Sequence, residues 1–132
     1  MNNQIIIYNN VIELLSKSMP HFKYDKSDSD LPYIVAGGFA VHLLDCYTSK
    51  SFDELQDGLN FIEELHIYGD PKTKELATIG FLEGIQNVWG NRKVNPEEVF
   101  KLLGSESKKW WKQLNKFWQA EIKYVGETID KE

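Results

Sequence analysis

"SFDELQDGLNFIEELHIYGDPKTKELATIGFLEGIQNVWGN", residues 51–91, decides how this chain folds. Ser51 with Glu54 three residues on has the form of a capping box, and Phe52, Leu55, Leu59, Ile62 and His66 then recur at three- and four-residue spacing. Gly69 is suited to the left-handed position that ends a helix. Asp70 and Pro71 follow as an N-cap and a first helical residue, where proline's missing N–H costs nothing. Leu76, Ile79, Leu82, Ile85 and Trp89 make a second stripe, ended by Gly90. The stretch predicts a helical hairpin, and so short a link sets its two helices antiparallel.

Within the second helix, Gly80 and Gly84 share a face with Leu76 and Asn87. Two glycines there cost roughly 1–2 kcal/mol against alanines. A neighbouring helix packed on the bare backbone is the simplest offset. Glu75, Glu83, Gln86 and Asn87 mark the polar side.

Outward from the hairpin the helical punctuation continues. In "NPEEVFKLLG" Asn95 caps, Pro96 sits inside, Glu98 takes the box position and Gly104 stops. Ser105 or Ser107 opens a last long helix carrying Trp110, Leu114, Phe117 and Trp118. Upstream, residues 4–18 hold Ile5, Val11, Leu14 and Leu15 and read as a helix broken by Pro20. "LPYIVAGGFAVHLLDCYTS" reads as one helix from about Leu31 to Thr48. A short strand at "YIVA" is the alternative, but it finds no second strand to satisfy its backbone groups. The expected architecture is all-α, a single domain over residues 1–132 of about six helices, with a central hairpin of HEAT-like length.

Composition narrows the function. Hydrophobic residues make up 42% and aromatics 13%, as in a globular chain. No apolar run approaches the roughly 20 residues that span a bilayer, and the N-terminus lacks a signal peptide's basic region. The lone Cys46 excludes an internal disulfide and fits a reducing compartment, so a soluble cytoplasmic protein is expected. A net charge of −5 argues against nucleic acid and favours basic partners. Only Lys108, Lys109, Trp110, Trp111, Lys112 and Lys116 mix cations with aromatics. There Trp110, Leu114, Phe117 and Trp118 have the spacing of a buried stripe, with Trp111 off it and exposed.

No catalytic or cofactor motif stands out. Glu63 and His66 form one Glu-x-x-His pair, whereas a di-iron bundle needs two such pairs and two further glutamates. His42 and Cys46 are one turn apart, but no third and fourth ligand follows at a sensible spacing, so no metal is expected. "AGGFA" lacks the lysine of a phosphate loop, and no nucleophile elbow or dinucleotide fingerprint occurs. Protein binding is the class that remains. Acids concentrate between residues 45 and 83, so a partner face on the hairpin would draw on Asp45, Asp53, Asp57, Glu63, Glu64 and Glu83, with Tyr47 and Tyr68 as anchors.

"EELH" (63–66), "GD" (69–70) and "ELATIGFLEGIQN" (75–87, running on to Asn91) also resemble the signature of a family of small bacterial all-helical proteins associated with toxin–immunity loci. The likeness covers about residues 31–91. It implies a cytoplasmic immunity protein, not an enzyme and without a cofactor. Such a protein neutralises a toxin domain, as in contact-dependent growth inhibition, by direct stoichiometric binding. The implied partner is a basic nuclease, an EndoU-type RNase as first choice, whose cleft the carboxylates fill in place of phosphates. The other reading is a helical adaptor or regulatory module. The signature also has a purely structural reading, in which its Gly, Asp and Asn residues stop and cap helices.

Overall fold

The computed structural model describes residues 4–130, with side chains for residues 4–120. Six helices follow one another: α1 (Val11–Ser18), α2 (Pro32–Thr48), α3 (Phe52–Tyr68), α4 (Pro71–Glu75), α5 (Glu83–Asn91) and α6 (Ser105–Asp130). A π-helical segment, Leu76–Leu82, joins α4 to α5 without a break, and a 3₁₀ segment, Pro96–Leu102, leads into α6. Among the described residues there is no strand, so the protein is all-α.

The segment from Pro32 to Thr48 is helical throughout. Proline at its first position and seven buried residues on several sides make it the central element. It packs against α3, the π segment and α5. Phe39 stands at the hub, its ring 5.0 Å from that of Phe22 and 5.8 Å from that of Phe81. Trp89 is fully buried and donates its Nε1–H to the Ala40 carbonyl at 3.1 Å, which fastens α5 to α2.

The hairpin forms as its punctuation predicts, with the Thr73 N–H donating to Asp70 Oδ1 at 2.9 Å. Its turn differs from expectation. Gly69 is extended (φ −73°, ψ 151°), not left-handed. It is glycine because a Cβ would run into the Leu65 carbonyl and the Thr73 side chain. This extended residue pairs with Ile6: the Ile6 N–H donates to the Tyr68 carbonyl and the Asp70 N–H to the Ile6 carbonyl. Residues 4–7 are therefore a pinned extended strip, not the start of a helix. Ile5 is exposed, and α1 begins only at Val11.

Gly80 and Gly84 do lie against α2, though unequally. A Cβ on Gly80 would sit 2.7 Å from Leu76 Cδ1 and 3.3 Å from Tyr33, while one on Gly84 would make ordinary contacts of 3.8–3.9 Å with Ala36, Ala40 and Gly37. The close approach belongs to Gly80. The π segment also redraws the stripe: Leu76, Leu82, Ile85 and Trp89 are buried with Ala77 and Phe81, and Ile79 is turned outward. Gly90 is not the stop, since α5 runs on to Asn91 and the chain reverses at Lys93 (φ 62°).

The last helix corrects the expected aromatic stripe. Trp111 is fully buried, with Leu114 and Ser107 on its side, while Trp110, Phe117 and Trp118 are 38%, 54% and 38% exposed. The buried indole donates to Glu97 Oε2 at 2.8 Å. Phe52, too, is half exposed rather than core.

Candidate functional site

Three places on this scaffold concentrate functional groups. The first is the outward side of α3. Asp53, Asp57, Asn60 and Glu64 fall at four- and three-residue steps along one exposed stripe that ends in Ile67 and Tyr68. Among the described residues Asp53, Asp57 and Glu64 form no ion pair. Asp45 is exposed near the end of α2. Three expected partner residues are engaged elsewhere. Tyr47 is half-buried, its ring 5.2 Å from Trp89 and 6.3 Å from Phe52. Glu83 lies half-buried beside α6, where burial pushes its carboxyl above the ordinary range.

Glu63 is the third, and its position explains half of the "EELH" motif. Its carboxylate accepts from the Ser107 N–H (2.8 Å), the Ser107 hydroxyl (2.8 Å) and the Glu106 N–H (3.1 Å), capping α6 from a different helix. Partial burial opposes the charge, but these hydrogen bonds outweigh it and hold the carboxyl below its usual range. Gly104 leaves room for the carboxylate, which a Cβ there would strike. His66 is buried beside it, Nδ1 3.1 Å from the Ile62 carbonyl and Nε2 3.0 Å from Thr78 Oγ1. Burial lowers its pKa and so favours the neutral imidazole. Ser107 has no exposed surface; its hydroxyl donates a hydrogen bond to Glu63 and lies 3.3 Å from His66 Nδ1, so the three side chains fasten α3 to α6.

The second place is a groove between the π segment and α6. Two adjoining cavities of about 450 Å³ each share Thr78, Ile79 and Trp110. One continues to Phe117 and Trp118, the other to Lys74, Glu75 and Glu106. This groove is absent from the sequence reading. Its signal was the π segment's extra residue and the choice between Trp110 and Trp111, both settled only by packing.

The third place gathers groups from distant parts of the chain. His42 and Cys46 are one turn apart on α2, and Glu54, at the start of α3, reaches back to them. His42 Nε2 lies 2.6 Å from Glu54 Oε2, and His21 Nδ1 lies 3.2 Å from Glu54 Oε1. Glu54 has thus left the expected capping box, since Ser51 makes no side-chain cap. Its hydrogen bond with His42 holds the carboxyl below the ordinary range. Burial, with the Glu54 charge nearby, pushes the Cys46 thiol up to about 11. A thiol so protonated is no free nucleophile.

These observations define an all-helical domain with an acidic outer stripe and an aromatic groove. The chain belongs to the DUF7674 family, a domain of unknown function, whose profile matches residues 12–119 and so takes in all three places. No curated protein and no solved structure matches the chain. Among the described residues no helix is long and apolar enough to cross a membrane.

Proposed function

We propose that this protein is a cytoplasmic immunity protein, one that neutralises a bacterial toxin domain by direct stoichiometric binding and performs no catalysis. The observation that carries the reading is the unpaired acidic stripe of α3. Asp53, Asp57 and Glu64 stand at helical spacing on a rigid element, free of intramolecular cations among the described residues, and close on the exposed Tyr68. A rigid row of carboxylates presents to a basic nuclease cleft the charge pattern that a phosphate backbone would. Close charge pairs across such an interface couple by about 1.5–7 kcal/mol, so three acids suffice to set affinity. A basic RNase domain, of EndoU type as first choice, remains the partner of this reading.

Calorimetric titration of this protein with a basic EndoU-type RNase toxin domain tests the reading. Binding should be one-to-one and should weaken as salt rises. Salt-independent affinity, or none, would remove the stripe as the binding face.

A second reading rests on a different observation. The groove exposes Ile79, Trp110, Phe117 and Trp118 together, and would suit an adaptor that accepts the apolar side of a partner helix. Under that reading Trp110→Ala and Phe117→Ala abolish binding while the charge reversals do not.

A further inference from the structure

Spacing along the sequence offers His42 and Cys46 no third ligand, yet the fold supplies one. One ligand atom each from His42, Cys46 and Glu54 lies within 4.8 Å of the other two. With zinc bonds of 2.0–2.3 Å, a tetrahedral site needs ligand atoms about 3.3–3.8 Å apart, a difference that small side-chain rotations cover. The three residues come from two packed helices and are restrained. The His42 ring is flanked by Phe22 and Phe39, its centroid 5.4 and 6.0 Å from theirs, and Cys46 is buried. His21, on the segment between α1 and α2, is exposed and already touches the other oxygen of Glu54.

The local rules of α3 point the same way. A glutamate three residues after Ser51 ordinarily closes a capping box, and here it abandons the helix end to face two histidines and a thiol. Such departures from local preference gather at functional sites. Nitrogen, sulfur and a single carboxylate together suit a borderline-soft cation and not magnesium or calcium, which require oxygen.

We propose that His42, Cys46 and Glu54 bind a divalent transition-metal ion of the zinc type, with water in the fourth position and His21 holding the other oxygen of Glu54. On binding, the Cys46 thiol gives its proton to solvent as the sulfur–metal bond forms, and nothing is oxidised or reduced. The ion ties the start of α3 to α2. It is separate from the acidic stripe and does not depend on the immunity reading.

The test uses the untagged full chain, stripped with a chelator and titrated with Zn²⁺ and then Co²⁺. One equivalent of zinc should bind and raise Tm by about 5–10 °C at a hundredfold excess over Kd. The cobalt form should show sulfur-to-metal charge transfer and the d–d absorption of a tetrahedral site. Cys46→Ser, a near-isosteric change, should abolish the charge-transfer band and weaken zinc more than about 100-fold, beyond the usual effect of an outer-shell partner. His21→Ala should keep the band and weaken zinc about tenfold. A chain that takes up no zinc, or one whose Cys46→Ser variant binds as tightly, would overturn the site and leave a hydrogen-bonded His–Glu–His cluster. Unchanged affinity in His21→Ala would overturn the supporting role of His21 alone.

Discussion

Glu63 and Glu64 are neighbours on α3 with opposite fates. Glu63 faces inward, where three donors from α6 converge on its carboxylate, while Glu64 faces solvent in line with Asp57 and Asp53. Trp111 and Trp110 repeat the contrast on α6: the first is sealed in the core and hydrogen-bonded to Glu97, the second lines the open groove. One residue of register separates a side chain that holds the fold from one available to a partner. The inward junction of α3 with α6 is thus the stability region, and the outward stripe is the binding region of the proposed function. Charge and residue type are shared between the two, so only position distinguishes them.

The contrast can be broken first at the tryptophans. Trp111→Ala should cost about 3–5 kcal/mol, whereas Trp110→Ala should cost under about 1 kcal/mol, measured as urea unfolding midpoints. Next come the glutamates. Glu63→Ala leaves the donors of Ser107 and Glu106 without an acceptor and should cost about 2–3 kcal/mol, or about 10 °C in Tm. Glu64→Ala should leave stability within about 0.5 kcal/mol. Equal effects at 63 and 64 would erase the distinction.

A smaller effect is read in pH. Burial keeps the folded-state pKa of His66 below its ordinary value of 6.5, so the unfolded chain takes up that proton first. Stability from this group is whole above pH 6.5 and declines as pH falls below it. Glu63, held below its ordinary 4.5, adds a second decline beneath that value. His66→Gln should abolish the first decline and keep the second. Urea midpoints at about pH 7.5, 5.5 and 4 separate the two.

The parts of this fold legible in the sequence are those written in local signals. Asp70–Pro71 and Asn95–Pro96 mark helix starts through backbone geometry that neighbouring residues determine, and the structure places starts there. What local signals lack is tertiary choice. Periods through Trp110 and through Trp111 both pass Leu114, and only the docking of α6 on α3 selects between them. Glu54 fits a capping box, and His42, twelve residues upstream, draws it away. Lys93 takes the left-handed turn after α5, where Gly90 was expected to stop the helix, and Lys50 takes another after α2. The exposed acids Asp53, Asp57 and Glu64 were found because amphipathic spacing is itself local. Glu63 was grouped with them because its partners lie more than forty residues away.

The immunity proposal is tested most directly by the activity of a basic EndoU-type RNase toxin domain with one equivalent of this protein, wild type against the combined Asp53→Lys, Asp57→Lys, Glu64→Lys variant. The wild type should inhibit fully, and a variant that melts as the wild type does should inhibit at least a hundredfold more weakly. Equal inhibition by both proteins would contradict the assignment of the α3 stripe, and an uninhibited toxin would contradict the immunity function itself.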